Sequence, residues 1–225
     1  MTKPGFLLVK KPKNITSHDV VDRLRKISGI KKIGHSGTLD PFATGLLILG
    51  IGKGATKKLS RFLKADKEYI GLLKLGAVSD TFDKTGKILE KEKIKKPTKD
   101  EVKKVLESFL GEINQTPPLF SAQKIKGKPL YQLARKGIKI KPRAKKVKVN
   151  KIEILNYSFP YLKIKVKCSS GTYIRSLAND IGKTLGCGAY LEELKRTKIG
   201  SYSLEKAVEL SKINKENWQK FLYKL

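Results

Sequence analysis

Residues Gly34 to Gly45 read GHSGTLDPFATG, and this stretch constrains the fold more than any other part of the chain. Three glycines and a proline interrupt any helical or strand period, so the backbone must turn here, between a helix-like pattern upstream and the apolar run Leu46 to Leu49 (LLIL). One acidic residue, Asp40, sits inside the turn, directly before Pro41. Aspartate before a proline is the pattern of a helix N-cap. It is also what a reactive carboxylate presented on a turn would look like, and these residues alone leave both readings open.

The surrounding pattern predicts alternating strands and helices. Gly5 to Lys10 (GFLLVK) reads as a strand bounded by prolines. Thr16 or Ser17 then caps a helix with Val20, Val21, Leu24 and Ile27 on one face and Gly29 closing it. His18 falls in its exposed first turn and is read as incidental. GIGKGATK (Gly50 to Lys57) lacks the Walker spacing and reads as a turn into a helix from Thr56 to Phe62. Glu68 to Leu75 is a strand, and Asp80 and Asp83 fall in the loop after it; with no third ligand nearby, they read as loop residues rather than a metal site.

Thr98 to Leu110 is an amphipathic helix with Thr98 and Glu101 at the capping-box positions and Gly111 ending it. Lys151 to Cys168 alternates apolar and polar residues, as half-buried strands do, with a turn near Ser158 to Pro160. A helix is expected from Tyr173 to Leu185, then a second helix or a strand pair, and a helical tail from Leu204 carrying Val208, Leu210, Trp218 and Phe221.

Fifty Lys and Arg stand against twenty Asp and Glu, a formal net charge of +30 distributed along the whole length of 225 residues. That balance points to a polyanionic partner, nucleic acid first, although a general compositional preference for lysine would produce the same numbers. Asn114 to Asn150 is the most basic segment, with four prolines and with Phe120 and Tyr131 interleaved. It reads as an insertion that grips nucleic acid, with Lys124, Lys128, Tyr131 and Arg135 as candidate contacts. Cys168 and Cys187 are too few for a disulfide framework or zinc site and are expected as reduced thiols. No segment has the length of a signal peptide core or a membrane span, so a soluble, cytoplasmic protein is expected.

Only seven of the basic residues are arginine, and Arg175 lies in GTYIRSLAND at a helix start, where a guanidinium fork is suited to hold a carboxylate ionised. Tyr69 offers a ring for stacking or a phenol for proton transfer, and His35 stands at the head of the glycine-rich turn.

Four stretches in this order, GHSGTLDPFATGLL, KEYIGLLKLGAVSDTFDKTG, PPLFSAQKIKGKPLYQLARKG and CSSGTYIRSLANDIGKTLGCGAYLEELKRTKIG, resemble the pseudouridine synthases of the TruB type. The likeness runs from about Gly5 to about Leu210. It implies an α/β (α+β) pseudouridine-synthase fold: a curved, mostly antiparallel mixed sheet flanked by helices, with the basic insertion beside a cleft. It also implies an enzyme that isomerises uridine to pseudouridine at position 55 in the T-loop of tRNA, without metal or organic cofactor. On this resemblance Asp40 is the nucleophile, Tyr69 stacks on the target base and accepts the C5 proton, and Arg175 pairs with the catalytic carboxylate. His35 fills the space left by the flipped nucleotide, and Leu194 lines the pocket.

Such an enzyme must rotate its uridine out of a folded T-loop, which calls for a basic surface, a gap-filling side chain and a closed pocket. The chain is expected to be one catalytic domain, residues 1 to 225, acting as a monomer on the tRNA T-arm. The C-terminal RNA-binding (PUA-like) domain usual in relatives is expected to be absent, with residues 114 to 150 carrying more of the binding. Two alternatives remain open: a synthase of the same fold acting on another RNA, and a basic RNA-binding protein without catalysis.

Overall fold

The structure is a computed structural model that describes residues 4–121, 123–125, 127–135, 138, 140 and 142–224. In chain order, β1 (Gly5–Lys11), α1 (Ser17–Ser28), β2 (Ile33–His35), β3 (Thr44–Ile51), α2 (Lys53–Lys57), α3 (Ser60–Lys64) and β4 (Lys67–Leu75) come first. They are followed by β5 (Ala77–Ser79), β6 (Ile88–Glu90), α4 (Lys99–Ser108), β7 (Gly111–Gln115), β8 (Lys124–Ile125), β9 (Lys128–Pro129) and α5 (Leu130–Arg135). The last third holds β10 (Lys145–Ser158), β11 (Tyr161–Cys168), α6 (Ile174–Thr184), β12 (Ala189–Ile199), β13 (Tyr202–Ser203), β14 (Val208–Glu209) and β15 (Leu222–Tyr223). This is a mixed α+β architecture built on a mostly antiparallel sheet with helices packed on it. The chain forms two compact units, one of residues 1–69 and 194–225 and one of residues 70–193, and it passes from one to the other within β4 and within β12.

In the first unit the strand order is β14-β1-β3-β12, with β2 beside β3 and β15 beside β1. β1 and β3 are antiparallel from Gly5↔Ile51 to Lys11↔Gly45, and β3 runs parallel to β12 at Lys195↔Thr44 and Arg196↔Gly45. The near-continuous apolar runs FLLV and LLIL make sense here, because both faces of these strands are covered. On one face Leu7, Val9, Leu47, Leu49 and Ile51 pack beneath Val20, Val21 and Leu24 of α1. On the other, Phe6, Leu8, Leu46 and Ile48 meet Ala55, Leu59 and Phe62 of the α2–α3 region. Each such apolar side chain contributes roughly 1.5–3 kcal/mol of gross transfer energy.

The caps form as the sequence predicts. Thr16 Oγ1 accepts from the Asp19 amide while Asp19 Oδ2 accepts from the Thr16 amide, and Gly29 closes α1 at φ 70°. Thr98 and Glu101 make the same reciprocal pair at the start of α4. Two local expectations change. The helix read at Thr56 to Phe62 is two short helices, α2 and α3, the second closed by the buried Lys67 ammonium donating to the carbonyls of Phe62, Leu63 and Ala65. The tail from Leu204 is not helical: short 3-10 turns at Leu204–Lys206, Leu210–Lys212 and Trp218–Phe221 alternate with β14 and β15, which bond to opposite ends of the edge of β1 that β3 leaves open. Pairing with β1 and burial of Leu210, Ile213 and Trp218 in the core beneath α1 outweigh helix propensity there.

In the second unit the order is β4-β11-β10-β7, with α4 packed against β10 and α6. β10 and β11 form the expected hairpin, turning at residues 159–160. Val147, Val149, Leu162, Ile164, Val166 and Cys168 are buried, and the residues alternating with them are exposed or half-buried. The segment expected as a basic insertion has both ends in the sheet, since Gln115 pairs with Lys145 and Asn114 with Lys146. Between them lie the β8–β9 hairpin and α5. Lys124, Lys128, Tyr131 and Arg135 fall on those elements; Ala122, Lys126, Lys136, Gly137, Lys139 and Lys141 of this segment lie outside the described residues. Both cysteines are buried and outside any disulfide, and no described helix is long and apolar enough to cross a membrane.

Candidate active site

Asp40 is not a helix cap. Its carbonyl accepts from the Ala43 amide at 3.0 Å, which closes a tight turn, and the chain enters β3 at Thr44 without a helical residue between. Pro41 presets the turn, and the apolar run that follows makes better use of a sheet with two covered faces than of a helix. The cap reading therefore fails on tertiary grounds, and Asp40 stands half-buried on a turn.

That turn is held from behind by buried polar side chains of the same unit. The Lys11 ammonium, on a residue only 1% exposed, donates to the carbonyls of Pro12 at 2.8 Å, Ile15 at 2.7 Å and Pro41 at 3.3 Å. The Asn14 amide donates to the same Pro41 carbonyl at 2.8 Å. Ser17 Oγ accepts from the Leu39 amide at 2.8 Å and lies 3.2 Å from the Leu39 carbonyl, to which it donates. Arg196, also 1% exposed, donates through Nε to the Leu46 carbonyl at 2.8 Å and through its terminal nitrogen to the Gly37 carbonyl at 3.1 Å. The carbonyls at 37, 39, 41 and 46 are thus fixed, and Asp40 lies within that frame.

Gly45 is required at the end of the turn. It has φ 114°, and a Cβ placed there would come within 2.3 Å of the Arg196 carbonyl oxygen, across the parallel pairing of β3 with β12. Leu194 lies on the same segment of β12, 7% exposed, its carbonyl 3.5 Å from the Thr44 hydroxyl. Leu194 is thereby anchored to Thr44, which lies four residues beyond Asp40. Tyr69 sits half-buried on β4, one residue after Glu68, whose carboxylate accepts from Thr197 Oγ1 of β12 at 2.7 Å.

His35 ends β2 opposite Leu49 of β3. Its Nδ1 is buried without a hydrogen-bond partner among the described residues. Burial first, and the Arg196 charge second, push its pKa below the ordinary histidine value, so the ring is neutral at physiological pH. Burial also lowers the Lys11 ammonium to about 8, with Arg196 acting in the same direction and the Asp40 and Asp19 carboxylates against it.

Arg175 belongs to the second unit. It is 4% exposed near the start of α6, and donates to Asp83 Oδ2 at 3.0 Å, the Thr81 carbonyl at 3.1 Å and the Phe120 carbonyl at 2.9 Å. Asp83 is 2% exposed, and its other oxygen accepts from Thr81 Oγ1, the Thr85 amide and Thr85 Oγ1. The sequence reading placed Asp83 among ordinary loop residues and missed this pairing. Its signal was faint: a D-x-T pattern after the strand, where threonine hydroxyls can satisfy a carboxylate drawn into the interior. Among the described residues no group of three or more His, Cys, Asp or Glu could hold a metal. The second unit also contains a cavity of about 790 Å³ lined by residues including Phe82, Pro117, Phe120, Ile138 and Asp180. Burial raises the Asp180 carboxyl above its ordinary range.

Comparison with known proteins agrees with this architecture. The family model of the TruB family pseudouridylate synthase (N terminal domain) matches residues 25–174, and that of the tRNA pseudouridylate synthase B C-terminal domain matches residues 175–223. The tRNA pseudouridine synthase B of Clostridium tetani is 50% identical over 218 residues, covering 97% of this chain and 75% of that protein. That of Protochlamydia amoebophila is 46% identical over 210 residues, covering 93% and 79%. Among solved structures, a Cbf5-Nop10-Gar1 complex contains a chain 33% identical with a TM-score of 0.71, matched over 92% of this chain and 52% of that one. An H/ACA RNP bound to a substrate RNA containing 2'-deoxyuridine gives 30% identity and a TM-score of 0.69, over 92% and 51%. The chain spans about half the length of these two solved chains.

Proposed function

This chain belongs to the TruB family of pseudouridylate synthases, and on that premise we propose that it isomerises uridine to pseudouridine at position 55 in the T-loop of tRNA, with Asp40 as the nucleophile. The observation that carries the assignment to Asp40 is the turn itself. A carboxylate is presented at a break between β2 and β3, on a backbone fixed by Lys11, Ser17 and Arg196. A turn whose only task was to reverse the chain would not require buried cations behind it, because each carries a desolvation cost.

The reaction breaks the N1–C1′ glycosidic bond of uridine and forms a C5–C1′ bond. A proton leaves C5 and one is delivered to N1, so no electron donor or acceptor is consumed. Asp40 supplies the nucleophilic oxygen. Tyr69 stacks on the base and takes the C5 proton, and Arg175 supplies the positive charge that keeps the reacting carboxylate ionised. His35, neutral at physiological pH, occupies the gap left by the extruded nucleotide, and Leu194 provides an apolar wall for the base. Lys124, Lys128, Tyr131 and Arg135 contact the RNA from the segment between β7 and β10. The synthase acts as a monomer in the cytoplasm.

The test is incubation with an unmodified tRNA transcript and mapping of pseudouridine, beside a transcript whose T-loop uridine is replaced. Asp40→Asn is expected to lose turnover by several orders of magnitude, on the order of what removing a covalent nucleophile costs, while RNA binding is largely kept. An Asp40→Asn variant that modifies tRNA near the parent rate would overturn the assignment. Pseudouridine formed equally on the replaced transcript would overturn the T-loop site.

A further inference from the structure

We propose that the outward face of the β7–β10–β11 sheet, in the second unit, is a binding surface for the phosphate backbone of RNA. This rests on the chain being an RNA-modifying enzyme, and it assigns a place where the nucleic acid is held beyond the segment between β7 and β10.

The register defines the face. On β11, Leu162, Ile164, Val166 and Cys168 point inward and are fully buried, so Lys163, Lys165 and Lys167 point outward. Cross-strand partners share a face, which places Lys151 outward opposite Lys167 and Glu153 opposite Lys165. Further along β10, Val147 and Val149 are buried and Lys146 and Lys148 are exposed, opposite Asn114 and Glu112 of β7.

A strict alternation would leave Asn150 on the outward face and turn Lys151 inward. The register shift between Val149 and Lys151 inserts one residue and restores lysine to the exposed side. Six lysines therefore share one pleated surface with two glutamates, Glu112 and Glu153. Glu153 is engaged by Lys151 and, at 3.5 Å, by Lys165, and Glu112 lies 3.9 Å from Lys146. Among the described residues, Lys148, Lys163 and Lys167 have no ion-pair partner.

Placing Lys151 directly opposite Lys167 is unfavourable for the sheet alone, since like charges across strands destabilise it. A bound polyanion reverses that sign. Lysines two apart along a strand stand about 6.8 Å apart, and neighbouring strands about 4.8 Å, which gives a flat lattice of point charges. Lysine engages phosphate as a point charge, and six lysines dominate this face, with the exposed ring of Tyr161 at its hairpin end. Such a surface fits a phosphate backbone without sequence preference.

The experiment compares the parent with two triple glutamine variants, and with a triple arginine variant, in the full chain. One is Lys148→Gln/Lys163→Gln/Lys167→Gln; the other, Lys99→Gln/Lys103→Gln/Lys104→Gln on α4, removes the same charge elsewhere. Affinity for an unmodified tRNA transcript is measured by fluorescence anisotropy between about 50 and 200 mM salt. The face variant is expected to lose roughly 2–3 from the slope of log K against log salt and to bind about tenfold more weakly or worse. The α4 variant should move much less. Lys148→Arg/Lys163→Arg/Lys167→Arg keeps the charge and should keep the parent slope, and thermal melting verifies that all three are folded.

A face variant with the parent slope, or equal losses in both glutamine triples, overturns the surface. Pseudouridine formation by the parent is assayed separately. A parent that forms none while its RNA affinity still depends on this face refutes the catalytic reading and leaves the surface standing.

Discussion

Arg175 and Asp83 meet at 3.0 Å with side chains only 5% and 3% exposed, so the arginine that the sequence singles out is already engaged by a carboxylate of the loop after β5. The pair ties α6 to residues 81–85, and its further bond to the Phe120 carbonyl draws in the segment after β7. Removing one partner leaves the other charged and buried. Asp83→Ala is expected to destabilise the protein by about 3–5 kcal/mol. Asp80→Asn, in the same loop but exposed, should stay within about 1 kcal/mol. Urea unfolding of both variants checks this; equal midpoints would show that the ion pair adds nothing the loop needs.

Lys11 should make stability depend on pH in the alkaline range. Its folded pKa is lowered from 10.5 to about 8, chiefly by burial. The unfolded chain therefore binds more protons than the folded one between those values, and the stability owed to this group rises with pH across the window. Unfolding free energies of the parent and Lys11→Met, measured near the two ends of the window, should show the rise in the parent and its loss in the variant. Parallel pH profiles would contradict the lowered pKa.

Arg196 is expected to act on turnover through the Asp40 turn. Arg196→Lys keeps one charge but cannot reach both the Gly37 and Leu46 carbonyls in fork geometry. Its kcat should fall by about tenfold or more while KM for tRNA changes little, because misplacing a reacting group costs rate before binding. A loss confined to KM would instead place Arg196 in RNA binding.

Gly45→Ala should be among the most damaging small substitutions in the first unit. The added Cβ would meet the Arg196 backbone in a conformation that alanine already disfavours, so a loss exceeding about 1–3 kcal/mol is expected. Gly29→Ala at the end of α1, at φ 70° and with open space around it, should cost less. Thermal melting of the two variants checks the order; equal losses would contradict it.

Trp218→Ala tests the tail. Trp218 is 4% exposed and packs in the core beneath α1, so its truncation should cost about 3–5 kcal/mol. A loss under about 1 kcal/mol would mean that the segment after Leu210 is dispensable for the first unit.

The sequence by itself determined the elements whose signals are local. The capping boxes at Thr16 and Thr98, Gly29 at the end of α1, and the alternation in β11 all depend on groups within a few residues of each other, and each formed where it was read, whereas α4 closes at Phe109 and Gly111 opens β7. The glycine-rich stretch around Asp40 was legible as a turn for the same reason. What surrounds the turn was settled by distant residues. Asp40 follows the N-cap pattern, yet β1 and β12 flank the apolar run after it and draw it into a sheet covered on both faces.

Lys11 and Arg196 look like two of fifty surface cations in the sequence. Only the fold buries them against backbone carbonyls, Arg196 reaching that of Gly37 across a separation of 159 residues. Asp83 became the partner of Arg175 across a separation of 92 residues, and the tail gave up its helical pattern to bond with β1. Local propensity amounts to tenths of a kcal/mol per residue, whereas a buried apolar side chain or a satisfied buried charge contributes several times that. Where the two disagree, as at Asp40 and beyond Leu204, tertiary burial decides.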